Sequence, residues 1–256
     1  MSTETESIPH PFYPPSLHLP SYIAPTTPTS VVFLQFSGIF FTPLIVVYFT
    51  LLRQRIPSIS RRFSALWFLL CALLHAIYEP FWVVKSLNVW YQKGHGWGDA
   101  MAADNSLFGQ LFKEYGKGDS RYFQDDIFVL GVEIYTILVL APLAFFAFLA
   151  HLKPNSPSLP ILRILTSFTH LTTTSLYFIT EFLRHHADSR PEPEYAIGYM
   201  WGMNLPWIIV PIFMIKNSWK EIIIGMKVAR AKTDMNSRRN GENGASSKKG
   251  KNGKAE

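Results

Sequence analysis

The sequence contains a series of apolar runs, each long enough to cross a lipid bilayer as a helix, and these runs limit the folds that it can adopt. The first, residues 31–52, contains 22 residues and no charged side chain. Such a helix is about 33 Å long, against a hydrocarbon core of about 30 Å. Further runs follow at residues 65–84, 127–150, 159–183 and 197–219. The sequence therefore predicts an all-α integral membrane protein, a five-helix transmembrane bundle.

Basic residues predict how this bundle is oriented. The loops after the first and third runs carry Arg53, Arg55, Arg61, Arg62, Lys153 and Arg163. With five spans, these loops and the C-terminal tail lie on one side of the membrane, and the positive-inside rule makes that side cytoplasmic. We expect residues 1–30 and the loops at 90–125 and 184–196 to face the lumen or the exterior.

The net charge of +6 belongs to the C-terminal tail alone. Residues 227–256 hold nine Lys and Arg against three acidic residues, so the rest of the chain is balanced and no nucleic-acid partner is expected. This tail is rich in Gly, Asn, Ser and Lys and is predicted to be disordered. Cys71 is the single cysteine, which excludes an intramolecular disulfide. The predicted domains are a luminal segment at 1–30, a membrane domain at 31–226 and the cytoplasmic tail.

Three of the apolar runs contain polar side chains well inside their ends, where a charge costs about 2.5–3.5 kcal/mol. The pairs that share a helical face are His75 and Glu79, Glu133 and Thr136, and Asn204 and Trp207. Three helices that each supply such a pair predict one common interior cavity.

Each of these residues also has a structural interpretation. The His–Glu pair and Asn204 could join helices by contacts worth about 1 kcal/mol, and Trp207 could serve packing alone. We interpret His170 and the run Thr172–Thr174 as helix contacts, because Thr can bond its own backbone. Glu181 lies near a membrane boundary and could be interfacial.

Proton transfer is the chemistry that such a cavity suits best. Neither a metal-hydrolase HExxH motif nor a GxSxG nucleophile motif occurs in the sequence. A carboxylic acid in a dry cavity can protonate an alkene if the resulting cation is stabilised, and a desolvated aromatic face contributes about 2 kcal/mol. The aromatic residues available for this role are Trp207, Tyr115, Tyr122, Trp201 and Tyr177.

Six short segments occur in a fixed order along the chain. They are HPFYP at 10–14, LLHAIYEPFWV at 73–83, LFKEYGKGDSRY at 111–122, VEIYT at 132–136, LYFITE at 176–181 and MNLPW at 203–207. Together they resemble the emopamil-binding protein family, the 3β-hydroxysteroid Δ8,Δ7-isomerases of the EXPERA superfamily. The His-x-x-x-Glu and Glu-x-x-Thr motifs of that family correspond here to His75 with Glu79 and to Glu133 with Thr136.

The resemblance implies a multi-pass sterol isomerase of the endoplasmic reticulum membrane, with its N-terminus luminal and its C-terminus cytoplasmic. A proton would be added at C9 of a Δ8-sterol and lost from C7, through a carbocation at C8. The implied proton donors and acceptors are His75, Glu79 and Glu133. Trp207, held by Asn204, would face the cation, and Thr136 would orient Glu133. The implied substrate contacts are Tyr115, Asp119, Arg121, Tyr122 and Tyr177.

The resemblance implies no metal or organic cofactor. The expected partners are a Δ8-sterol substrate, hydrophobic tertiary amines as inhibitors, membrane lipid and, as an open option, a second copy of the chain in a homodimer. The protonated amine would mimic the cation between a carboxylate and an indole.

Two alternatives to a sterol isomerase stay open from the sequence. One is a non-catalytic sterol- or lipid-binding protein of the same superfamily, although such a protein needs no acid–base set. The other is an isomerase of another terpenoid, because the stretches at 94–105 and 185–195 depart from the family pattern. A small transporter is disfavoured because no inverted repeat is apparent.

Overall fold

The computed structural model describes residues 9–252 and, for side chains, residues up to 239. These residues are all-helical and contain no strand. In chain order the helices are α1 (Thr29–Arg55), α2 (Ile59–Lys93), α3 (Trp97–Ala102), α4 (Leu107–Tyr115), α5 (Ile127–His151), α6 (Leu159–Leu183) and α7 (Glu194–Arg239, continuing to Asn252). Four of them, α1, α2, α5 and α7, are long and apolar enough to cross a membrane.

Helix α6 is the fourth of the five predicted crossings, and it differs from the other four. It is 25 residues long, but it is not among the helices apolar enough to qualify. It packs against α5 and α7 and buries a stripe of polar side chains. Among them are Arg163, Thr166, His170, Thr174 and Glu181. These residues lower the apolar content of α6, so its crossing of the membrane stays a prediction.

Helices α2 and α5 each widen into a π-helical turn shortly before a proline. Leu74–Tyr78 in α2 precedes Pro80, and Thr136–Leu140 in α5 precedes Pro142. Proline has no N–H to donate to the preceding turn and its ring crowds the carbonyl there, so the helix must distort locally. The two wide turns contact each other across the bundle.

One end of the bundle is closed by a cap, which comprises residues 9–28 and 97–124. Phe12 stacks on Phe123 with ring centroids 4.2 Å apart, and the Ile23 N–H donates to the Ala102 carbonyl at 3.1 Å. The Trp82 indole of α2 donates to the Tyr122 carbonyl at 2.9 Å. The N-terminal segment is thus part of the folded domain, although residues 1–8 lie outside the described residues.

The opposite end of the bundle gathers the basic loops. Arg61, at the start of α2, donates to the Lys153 carbonyl at 3.0 Å, and Arg163 of α6 forms an ion pair with Glu221 of α7. The loop after α1 and the loop after α5 therefore lie side by side, at the end away from the cap.

The C-terminal tail differs from its prediction. The sequence predicts disorder in residues 227–256, whereas in the structure α7 continues as a helix to Asn252, and residues 253–256 lie outside the described residues. All side chains from Lys227 to Arg239 are exposed, so this stretch of helix is held by its own backbone hydrogen bonds. It has no apolar face, which is the pattern by which sequence analysis recognises a helix.

Candidate active site

A cavity of about 460 Å³ lies in the bundle beneath the cap. Small-molecule sites usually have volumes of about 300–1,000 Å³. Nine of the predicted site residues line it, namely His75, Glu79, Tyr115, Tyr122, Glu133, Thr136, Tyr177, Asn204 and Trp207. The rest of the wall is mainly apolar and includes Phe36, Phe112 and Leu140. The single cavity predicted from the polar pairs is therefore present, with side chains from α1, α2, α4, α5, α6 and α7.

His75 and Glu79 are joined by a short hydrogen bond within α2. The His75 Nδ1 atom lies 2.5 Å from Glu79 Oε1, as the i, i+4 spacing predicted. His75 belongs to the π-helical turn, and Glu79 follows it directly. The wide turn thus places the base and the acid on the same wall of the cavity.

Thr136 contacts Glu79, not the Glu133 carboxyl group that it was predicted to orient. Its hydroxyl oxygen lies 2.5 Å from Glu79 Oε2 and 2.8 Å from the backbone carbonyl oxygen of Glu133. The contact between the wide turns of α2 and α5 brings Thr136 to the neighbouring helix. A hydroxyl has one proton, so Thr136 either donates to the Glu79 carboxylate or accepts from the carboxylic acid and donates to the carbonyl. It can therefore support Glu79 in either protonation state.

Glu133 is buried on α5, and its two carboxyl oxygens differ in their hydrogen bonds. Its Oε1 accepts a hydrogen bond from the Tyr122 hydroxyl of the cap. Its Oε2 is buried and has no hydrogen-bond partner among the described residues. Buried polar atoms in native proteins are nearly always paired. The free oxygen of Glu133 is therefore suited to bind a proton or a ligand in the cavity.

Trp207 is held by aromatic neighbours and not by Asn204, which was predicted to hold it. Its ring centroid lies 4.6 Å from that of Trp67 and 5.4 Å from that of His170, and the His170 ring is nearly parallel at 16°. The Asn204 amide instead donates to the Met200 carbonyl one turn back, at 2.7 Å.

Asn204 belongs to a group of polar side chains at the cap end of the cavity. The Tyr115 hydroxyl donates to Asn204 Oδ1 at 3.1 Å and lies 3.2 Å from the Tyr177 hydroxyl. Burial raises the pKa of Tyr115 and of Tyr122 above the usual tyrosine value, so both hydroxyls remain protonated. These contacts join α4, α6 and α7 around the cavity.

Asp119 and Arg121 were predicted to contact substrate, but they lie behind the cavity wall. The Arg121 Nε donates to both Asp119 oxygens at 2.9 and 3.0 Å, and its guanidinium carbon lies 4.3 Å from the centroid of the Tyr177 ring. Burial alone would lower the pKa of Arg121, but the Asp119 carboxylate raises it above the usual value. The pair is fully buried and supports Tyr177 from behind.

His170 is the site residue that sequence analysis interpreted only as a helix contact. It lines the cavity, and its Nε2 lies 2.8 Å from the Nε2 of His75. A usable signal was present, because His170, Thr174, Tyr177 and Glu181 follow a helical spacing and form one polar stripe on α6. The structure buries that whole stripe.

Known proteins are similar to this chain over part or most of its length. The family model described as EXPERA (EXPanded EBP superfamily) matches residues 107–218. A 3-beta-hydroxysteroid-Delta(8),Delta(7)-isomerase of Cavia porcellus is 28% identical over 231 residues, which cover 86% of this chain and 92% of that protein. An isomeliandiol synthase of Ailanthus altissima is 30% identical over 156 residues, or 61% of this chain and 68% of that protein. A protoglabretal synthase of Citrus sinensis is 29% identical over 160 residues, which cover 61% of this chain and 68% of that protein.

Proposed function

The chain belongs to the EBP family of the EXPERA superfamily, and we propose that it is a sterol Δ8,Δ7-isomerase. The observation that carries this proposal is the meeting of two carboxyl groups, Glu79 and Glu133, and an indole, Trp207, on the wall of one apolar cavity. The relative from Cavia porcellus, which matches over most of both chains, supports the same reaction. A protein that only bound sterol would gain nothing from two carboxyl groups in an apolar site.

The proposed reaction moves a proton on and a proton off the sterol ring system. One carboxyl group protonates C9, and the electron pair of the C8–C9 double bond forms the new C–H bond and leaves a cation at C8. The other carboxylate removes a proton from C7, and the electrons of that C–H bond form the C7–C8 double bond. His75 and Thr136 hold the two oxygens of Glu79, and Tyr122 holds one oxygen of Glu133.

Trp207 has the role of stabilising the intermediate cation. Its ring packs against the rings of Trp67 and His170, so it does not need to reorganise when the charge appears. A desolvated cation–π contact contributes about 2 kcal/mol. The same combination of carboxylates and indole should bind a protonated hydrophobic tertiary amine, which carries the positive charge in a stable form.

The proposal includes a five-span topology in the endoplasmic reticulum membrane, in which 31–226 is the membrane domain and α6 crosses the membrane as the fourth span. Its support is that Arg61 and Lys153, from separate basic loops, are in contact at the end away from the cap. The single cysteine, Cys71, is buried, so surface cysteines can be introduced singly. Asn155→Cys should react with an impermeant thiol reagent from the cytoplasmic side, and His95→Cys only after the lumen is opened.

The reaction can be tested by isotope labelling. The chain is expressed in membranes that lack Δ8,Δ7-isomerase activity and is supplied with a Δ8-sterol in deuterated water. We expect a Δ7-sterol that carries deuterium at C9. Binding of the sterol without conversion would instead favour a non-catalytic sterol-binding protein.

A second candidate function is the isomerisation of another terpenoid. It is favoured by the two relatives named isomeliandiol synthase and protoglabretal synthase, which match this chain at 30% and 29% identity. Both candidates use the same carboxyl groups. Supplying Δ8-sterols and triterpenoid alkenes to the same membranes and comparing kcat/KM decides between them.

A further inference from the structure

His170 contacts both halves of the proposed site at once. The edge of its ring meets His75, with the two Nε2 atoms 2.8 Å apart, and the face of its ring stacks on Trp207. It is 2% exposed and belongs to α6, whereas His75 belongs to α2 and Trp207 to α7. His170 thus contacts a residue of the acid–base group and a residue of the aromatic group, although the His75 and Trp207 ring centroids are themselves 6.4 Å apart.

The contact between the two imidazoles determines which nitrogen carries each proton. One of two facing ring nitrogens must donate and the other must accept. If His75 is neutral and donates its Nδ1–H to Glu79 Oε1, its Nε2 has only a lone pair. The donor between the rings is then the Nε2–H of His170.

An independent observation points to the same tautomer of His170. Its Nδ1 is buried and has no hydrogen-bond partner among the described residues. A buried N–H without an acceptor is rarer in native proteins than an unpaired acceptor. An Nδ1 without a proton is therefore the less costly arrangement, and it leaves the ring proton on Nε2, facing His75.

We propose that His170 is a positioning residue of the isomerisation site, which donates to His75 Nε2 and thereby keeps the His75 proton on Nδ1, facing Glu79. This inference rests on the proposed function, because it assigns His170 a part in that reaction. As His75 occupies Glu79 Oε1 with a donor, the exchangeable proton of Glu79 is confined to Oε2, next to Thr136. His170 therefore determines which oxygen of Glu79 gives or takes the proton.

Two variants separate this role from simple packing. His170→Gln retains an N–H donor but loses the aromatic face, whereas His170→Phe retains a ring that stacks on Trp207 but has no donor. We expect His170→Phe to lower kcat by about tenfold to a hundredfold with little change in KM, and His170→Gln to retain more activity than His170→Phe. If His170 served only packing, His170→Phe should retain more activity than His170→Gln. That result would overturn the proposal.

The tautomer of His75 can be measured without turnover. In protein labelled with ¹⁵N-histidine, we expect the His75 proton on Nδ1 in the unmodified chain and in His170→Gln, and a mixture of tautomers in His170→Phe. An unchanged His75 signal in His170→Phe would refute the inference, even if the chain proved inactive on Δ8-sterols. Inactivity of the unmodified chain would count against the proposed function only.

Folding of the variants needs its own control. Thr172→Val changes a residue of the same helix that is exposed, and whose hydroxyl donates to the Phe168 carbonyl of its own helix. This variant should have unchanged kcat and an unchanged His75 signal. Binding of a hydrophobic tertiary amine to the His170 variants confirms that the cavity is intact when the rates are compared.

Discussion

Two buried carboxyl groups of this protein, Asp119 behind the cavity wall and Glu133 on it, are bonded in opposite ways. Asp119 is saturated, because the Arg121 side chain donates to both of its oxygens and the Arg121 backbone N–H donates to Oδ1 at 3.0 Å. Glu133 accepts one hydrogen bond, from Tyr122, and its other oxygen has no partner among the described residues. Burial is similar, at 1% and 8% exposure.

Because Asp119 and Glu133 are similarly buried but differently bonded, burial of a charged residue does not by itself identify a catalytic group. A carboxylate whose lone pairs are all occupied by a guanidinium has no atom left with which to bind a proton or a substrate. A carboxyl group with a free oxygen in a cavity does have one, at a cost in stability that a purely structural residue would not need. We therefore propose that Asp119 has a structural role and that Glu133 takes part in the chemistry.

The largest expected effect is the loss of activity in Glu133→Gln. Glutamine keeps the shape and the contact with Tyr122, but it cannot exchange a proton at the free position. We expect kcat for Δ8-sterol isomerisation to fall by about a thousandfold. Sterol conversion in isomerase-deficient membranes measures it, with tertiary-amine binding as a test that the cavity is present. A Glu133→Gln protein with more than a tenth of the original rate would show that proton exchange at Glu133 is not needed for the reaction.

Asp119→Ala should act on stability instead. It leaves the buried guanidinium of Arg121 with the Glu181 carboxylate, 3.6 Å away, as its acidic partner. Removing one partner of a buried pair costs about 3–5 kcal/mol, and we expect a loss no larger than that. Thermal unfolding in detergent measures this loss, and we expect the kcat of the protein that remains folded to change far less than in Glu133→Gln. A stable Asp119→Ala protein without activity would show that Asp119 belongs to the chemistry after all.

Replacement of Trp207 tests the same distinction, between a residue on the cavity wall and one behind it, for the aromatic side chains. Trp207→Leu removes the ring that faces the proposed cation, and a loss of about 2 kcal/mol corresponds to a decrease of roughly thirtyfold in kcat. Trp67 packs against Trp207 from a position that does not line the cavity. The control Trp67→Leu should therefore lower kcat less, and an equal loss in both variants would indicate packing as the common cause.

Much of the architecture could be predicted from the sequence, because long apolar runs and paired polar residues follow directly from helical geometry. The runs at 31–52, 65–84 and 127–150 each lie inside a helix of the structure. The polar pairs on α2 and α5 were placed on the cavity wall by their i, i+4 and i, i+3 spacing alone.

The contacts between helices could not be predicted in this way. Thr136 meets Glu79 because two π-helical turns pack together, and Trp207 meets His170 because α6 packs against α7. Periodicity identifies the face on which a residue lies but not its partner on the neighbouring helix. The family resemblance placed Arg121 among the substrate contacts, whereas in the structure it is buried behind Tyr177.

Lys113 of the cap is a buried charge without a carboxylate bonded to it among the described residues; its ammonium group lies 5.6 Å from the centroid of the Tyr22 ring. Its Nζ donates to the Ile23 carbonyl at 2.6 Å, and burial lowers its pKa from 10.5 to about 8, although Asp104 opposes the shift. Between these values the unfolded chain binds more protons than the folded one, so the stability of the fold should rise with pH.

The free energy of unfolding should rise by about 1 kcal/mol between pH 8 and pH 9, which is less than the other effects proposed above. It should appear as a difference between the unmodified chain and Lys113→Met, which has no titrating group at this position, in thermal unfolding at the two pH values. A stability difference that stays constant from pH 8 to pH 9 would mean that the Ile23 carbonyl compensates the buried ammonium group as completely as Arg121 compensates Asp119.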